Sequence, residues 1–239
     1  MSLKSTSFIN GLSDLADQAH RAKLLNYGIP NEHALGVRMP VLRDYAKEFR
    51  GDRDLALELF ESDYHEAKLA AGLIFPAKEL SMDEAAHFMA GLYSWDLVDQ
   101  FCGSLFQKAD FAKDLPYLWS PLPGEFQRRS GLVMILALSI HHKKMPDQEL
   151  LPYLSLVKEY IFDERNFVKK AHSWVLRTLG KRSPWLNAQL RAFIEDEWQI
   201  ETGKFQYWAA SDAYRELVDP KIVARIEKQA ARRDAKKSQ

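Results

Sequence analysis

Leu132-Val133-Met134-Ile135-Leu136-Ala137-Leu138 is the stretch whose reading decides the fold. An unbroken apolar run of this length suits a buried strand as well as a buried helix, and periodicity alone does not separate the two. Context does: the run lies inside a longer breaker-free stretch after Gly131. A helix that is hydrophobic on nearly all sides is what the interior of a helical stack requires. We therefore read 126–142 as a central helix. Elsewhere β-branched residues are sparse, turn dipeptides of the hairpin type are absent, and no Rossmann or P-loop glycine pattern occurs.

Outward from this run, helix signals dominate. In Met39-Pro40-Val41-Leu42-Arg43 the proline stands where its missing N–H costs nothing, and Leu42, Tyr45, Ala46 and Phe49 follow at helical spacing. Ser81-Met82-Asp83-Glu84 has capping-box spacing, and Gly91 ends the element it opens. Further helices are expected near 8–26, 53–60, 64–75, 94–107, 147–161, 165–179, 185–199, 205–217 and 220–235. The fold class is all-α, with short helices joined briefly into antiparallel pairs that stack as a curved solenoid with one concave face. Trp119-Ser120-Pro121-Leu122-Pro123-Gly124 is the longest joint and separates two lobes, which we treat as one functional domain over 1–239 with a basic C-terminal tail from about 228.

Composition narrows the function. With 46% hydrophobic and 28% charged residues the chain can build a core and is not a disordered tail. No apolar run reaches the roughly 20 residues that span a bilayer. The start, 1–8, shows no secretory pattern, so a cytoplasmic location and no membrane partner are expected. The single cysteine, Cys102, excludes an internal disulfide framework and a cysteine-rich zinc site. Formal net charge is 0, yet the second half holds a basic cluster from Arg128 to Arg191, and Arg232-Arg233-Asp234-Ala235-Lys236-Lys237 adds to it. Adjacent His141 and His142 diverge on a helix, and neither they, His65-Glu66 nor His172 completes a metal site.

Three elements carry chemistry. Trp95 and Asp99 in Trp95-Asp96-Leu97-Val98-Asp99 lie four positions apart and share a helix face. They are either core packing with a paired carboxylate or an aromatic and acidic site. Arg128 and Arg129 open the long central element and point in different directions. One serves the solvent side while the other reaches inward, to Asp99 or to a backbone phosphate, or else into a structural Asp–Arg salt bridge between helices. Lys169, Lys170, Trp174 and Arg177 sit within about two helical turns, either as a core indole with snorkelling neighbours or as an indole beside phosphate-binding cations.

Four segments in order, Leu35-Gly36-Val37-Arg38-Met39-Pro40-Val41-Leu42-Arg43, Trp95-Asp96-Leu97-Val98-Asp99, Phe126-Gln127-Arg128-Arg129-Ser130 and Val168-Lys169-Lys170-Ala171-His172-Ser173-Trp174-Val175-Leu176-Arg177, together resemble the bacterial DNA alkylation repair family. That family is built from HEAT-like helical repeats and is a class of DNA glycosylases. The resemblance implies a HEAT-like superhelix. It also implies hydrolysis of N3- or N7-alkylated purines from duplex DNA by a monomer, without metal or organic cofactor. It casts Asp99 as the catalytic carboxylate, Trp95 and Trp174 as groove indoles and Arg128 as the groove arginine, with Arg129, Lys169, Lys170 and Arg177 contacting DNA. The alternative is a noncatalytic helical-repeat module that binds DNA or protein. The chain departs from the family in its balanced charge: Asp96, Glu125 and Asp163 add negative potential beside these segments, and 202–208 lacks an arginine-rich character. Trp208 in that stretch is either a core residue or a third wall of the groove.

Overall fold

The computed structural model describes residues 2–237. The chain forms two compact units, 1–113 and 114–239. The boundary falls just before the proline-rich joint, because the short helix leading into that joint packs on the long helix beyond it.

The first unit contains α1 (Leu3–Asp14), α2 (Gln18–Leu24), α3 (Met39–Tyr45), α4 (Arg53–Glu61), α5 (His65–Ile74), α6 (Met82–Ala90) and α7 (Trp95–Ser104). The expected helix over 8–26 is two, because Asp17 accepts from the His20 amide and starts a new N-terminus inside it. Pro40 stands in the first turn of α3. Ser81 and Glu84 form the capping box of α6, and Gly91 caps its end. Helix α5 is buried along most of its length and packs on both α4 and α7. Phe60, Phe88, Phe101 and Phe106 make edge-on and tilted contacts at the centre of this unit.

The second unit contains α8 (Leu115–Trp119), α9 (Glu125–His141), α10 (Leu154–Tyr160), α11 (Asn166–Gly180), α12 (Pro184–Trp198), α13 (Trp208–Leu217) and α14 (Pro220–Lys237). The apolar run is helical, and every residue of α9 from Arg129 to Ser139 is buried. Helix α11 packs against α9, α12 and α13, which makes it the centre of the unit. Its hydrophobic positions recur at helical spacing and bury Val168, Ala171, Val175, Leu176 and Leu179. The segment expected as one helix over 147–161 begins as a 3₁₀ turn through Tyr153, because Pro152 has no N–H to continue an α ladder.

The fold is all-α with stacked helix pairs, with one small exception. Gln199–Glu201 (β1) and Lys204–Phe205 (β2) form an antiparallel hairpin between α12 and α13. The expectation that hairpin-type turns are absent is corrected here: Thr202-Gly203 makes the turn, with Gly203 at φ 74°. The expected basic tail is the end of α14 as far as 237. Residues 238–239 and the side chains of Asp234, Lys236 and Lys237 lie outside the described residues. Among the described residues no helix is long and apolar enough to cross a membrane.

Candidate functional site

Two of the four candidate catalytic residues, Trp95 and Asp99, stand on α7 in the first unit. The other two, Arg128 on α9 and Trp174 on α11, stand in the second.

Helix α7 buries Leu97, Val98, Phe101 and Cys102, which leaves Trp95 and Asp99 half-buried on the remaining face. The Trp95 ring packs against Leu24, Ile29 and Ala34. Its indole N–H donates to the Tyr27 carbonyl at 2.9 Å, so the one polar atom of the ring is satisfied and its plane is held.

The start of α7 is tied down by a buried network that the spacing of residues did not reveal. His65 is 2% exposed. Its Nε2 lies 2.8 Å from Asp96 Oδ2 and its Nδ1 lies 2.9 Å from the Tyr93 hydroxyl. A carboxylate only accepts, so Nε2 carries a proton and donates to Asp96, while Nδ1 shares a hydrogen bond with the Tyr93 hydroxyl. Ser94 donates to the other Asp96 oxygen at 2.6 Å. Burial raises the Asp96 carboxyl, but the hydrogen bond and charge of His65 outweigh it and hold Asp96 below the usual carboxylate range. Burial, then Asp96 and Glu66, push the Tyr93 phenol up, so it stays protonated.

The neighbouring Glu66 is also buried and collects three backbone donors: the amides of Leu35 at 2.8 Å, Gly36 at 2.6 Å and Val37 at 3.2 Å. Gly36 has φ 83°, and a Cβ there would lie 2.2 Å from the Asp17 carbonyl oxygen. Leu35-Gly36-Val37 is thus a fixed turn around one carboxylate. His65 and Glu66, unsupported as metal ligands, act as a clamp on the segments around Trp95.

In the second unit the cations are largely engaged. Arg128 donates from Nη1 to Asp163 Oδ2 at 2.5 Å and from Nε to the Ser120 carbonyl at 3.0 Å, and its guanidinium lies 4.6 Å from the Tyr160 ring centre. Arg165 also binds Asp163, at 2.9 and 2.5 Å. Burial raises the Asp163 carboxyl, but the hydrogen bonds from Arg165 and Arg128 prevail and lower it to about 2. The carboxylate that Arg128 meets is that of Asp163.

Arg129 is 5% exposed; it donates to the Phe167 carbonyl at 2.8 Å and lies 6.0 Å from the centre of the half-buried Trp174 ring. Arg129, expected to contact DNA, is thus buried with its guanidinium against the Phe167 carbonyl and the Trp174 ring of α11. Lys169 pairs with Glu164 at 3.2 Å and lies 6.0 Å from the ring of Trp208. Arg177 pairs with Glu216 at 3.1 Å. Lys170 is exposed and in no ion pair among the described residues. Trp208 is 47% exposed, which excludes the core reading.

The acids expected to add negative potential are each in use. Asp96 serves His65, Asp163 serves two arginines, and Glu125 accepts from the Phe167 amide at 3.1 Å, an otherwise unpaired donor in the first turn of α11.

Compared with known proteins, residues 8–217 match the family described as DNA alkylation repair enzyme. A solved structure described as one of a new family of proteins related to the HEAT-like repeat DNA glycosylases, with affinity for branched DNA structures, is similar over 93% of this chain and 96% of its own. The sequence identity is 19% and the TM-score 0.75, which shows a shared fold. No curated protein matches the sequence.

Proposed function

Because the chain belongs to the DNA alkylation repair enzyme family, we propose that it hydrolyses the N-glycosidic bond of cationic N3- or N7-alkylated purines in duplex DNA, as a monofunctional glycosylase. The observation that carries this reading is the pairing of Trp95 with Asp99 on one half-buried face of α7, with the indole fixed by Tyr27 and the helix start fixed by His65. The same reading takes 1–239 as one functional domain acting as a monomer.

Alkylation at N3 or N7 makes the purine cationic. When the C1′–N bond breaks, both bonding electrons go to the base and neutralise it, so departure needs no strong general acid. The cost lies in positive charge growing on the deoxyribose. A carboxylate such as Asp99 stabilises that charge electrostatically and accepts a proton from the water that attacks C1′. The products are free base and an abasic site. The face of Trp95 attracts the same developing cation through its π-system. In this reading Trp174 contacts the sugar–phosphate backbone, with Lys169, Lys170 and Arg177 serving phosphates. An unmodified purine is a poor leaving group, so the damage itself supplies the selectivity.

Release of N7-methylguanine and N3-methyladenine from alkylated duplex tests this. The wild-type protein is expected to release both, and Asp99→Asn to be slower by about 10²–10³-fold with folding and duplex binding retained, the scale on which one electrostatic contact acts in a transition state. Equal release by the two proteins sinks the assignment.

A second reading is a noncatalytic DNA-binding module. It is favoured by the engagement of Arg128 with Asp163 and by the branched-DNA affinity described for the structurally similar protein. Tighter binding of a four-way junction than of linear duplex, with no base released, selects it.

A further inference from the structure

We propose that α14 carries a separate binding site for the phosphate backbone of duplex DNA, formed by Lys221, Arg225, Lys228 and Arg232. These residues are four, three and four positions apart. At 100° per residue they fall within about 60° of arc and form a stripe about 16 Å long. All four are exposed. Among the described residues none takes part in an ion pair.

That freedom sets the stripe apart from the cations of α9 and α11 other than Lys170. Arg128, Lys169, Arg177 and Lys181 all have carboxylate partners. An anion approaching them competes with a neighbouring acid, whereas one approaching the stripe competes only with water. The helix holds seven basic residues against two acidic ones, and Glu227 lies off the striped face by the same helical arithmetic.

The other face of α14 is occupied. Ile226 is buried, Ile222 and Val223 are half-buried, and the helix packs on α12 and α13. Arg233 donates to the Arg182 carbonyl at 3.2 Å. With its apolar side already covered, the helix has nothing to insert into a bilayer, unlike an interfacial amphipathic helix. What it presents is a straight row of cations with two arginine forks suited to phosphate oxygens. The stripe lies beyond residues 8–217, which the family match covers.

This site shares with the proposed function only its nucleic-acid ligand, and binding is read on undamaged duplex, so a failure to release bases leaves it standing. The experiment measures the dissociation constant of the full chain for undamaged linear duplex across a salt series. The variant carries Lys221→Gln, Arg225→Gln, Lys228→Gln and Arg232→Gln, and its folding is checked by circular dichroism. A control removes the same charge elsewhere on the surface, through Lys78→Gln, Lys108→Gln, Lys143→Gln and Lys144→Gln. A conservative variant, Arg225→Lys with Arg232→Lys, keeps the stripe.

Each phosphate contact contributes about 0.9 to the slope of log affinity against log salt, so the stripe variant is expected to lose about 3 to 4 from that slope. The control and the conservative variant keep most of it. Equal slopes in wild type and stripe variant overturn the proposal, as does an equal fall in stripe variant and control, which marks a net-charge effect. It is overturned too if the substitutions abolish binding to phosphatidylserine vesicles while leaving the duplex slope unchanged, which assigns the stripe to a membrane surface.

Discussion

Arg128 shows how much a residue's meaning depends on its partner. Its position at the opening of α9 allows Asp99, a phosphate or a structural aspartate as partner, and the guanidinium meets Asp163 while stacking on Tyr160. Removing one member of a buried charged pair leaves the other under-solvated. Arg165 still serves Asp163, so Arg128→Ala is expected to destabilise the fold by about 1–3 kcal/mol, at the lower end for a broken buried pair. Arg128→Lys restores only part, because an ammonium has no planar fork to span Asp163 and the Ser120 carbonyl together. Chemical unfolding measures both variants. Unchanged stability with weakened duplex binding contradicts the structural role and makes Arg128 a phosphate contact.

At the scale of elements, what could be read in advance was local. The all-round apolar run gave α9 its burial, Ser81 and Glu84 marked the start of α6, Pro40 marked α3, and a spacing of four put Trp95 and Asp99 on one face. What could not be read depended on partners some 30 residues away. His65 meets Asp96 across 31 positions, Glu66 reaches Gly36 across 30, and Arg128 meets Asp163 across 35. Helical periodicity says which way a side chain points and nothing about which distant carboxylate waits there. The hairpin at 199–205 was hidden for the opposite reason, being too short for any alternation to show. Glu66 offers a test at this scale. A glutamine side chain in its place has one acceptor and an amide that clashes with backbone donors, so Glu66→Gln is expected to cost about 2–3 kcal/mol. It should also speed hydrogen exchange at the amides of 35–37 more than in α9. Exchange at those amides equal to wild type removes the clamp from the account.

For the molecule as a whole, two buried groups contribute clearly separated windows to how stability responds to acid. Burial, only partly opposed by the Tyr160 backbone, lowers the His172 imidazole to about 4, below its ordinary 6.5. The unfolded chain therefore takes up that proton first, and stability falls as pH drops from about 6.5 to about 4. Asp163, held at about 2 against an ordinary 3.8, is ionised in the fold after the unfolded chain has been protonated, so its contribution is present above about pH 4 and is lost on approach to pH 2. Unfolding free energy measured against pH is expected to decline through both windows. His172→Leu should flatten the upper one, and Asp163→Asn should make the lower one shallower, the other lowered carboxyls such as Asp96 supplying the rest. A wild-type profile level from pH 6.5 to 4 contradicts the buried neutral imidazole.

The hydrogen bond from Trp95 to the Tyr27 carbonyl bears on timing. A ring already pinned at both its edge and its apolar side has little motion left to surrender to a ligand, and in the proposed reaction it would meet the sugar cation already in place. On the proposed function, the aromatic plane is set before the reactant arrives, so any selectivity it confers is written into the resting protein and not assembled afresh at each encounter.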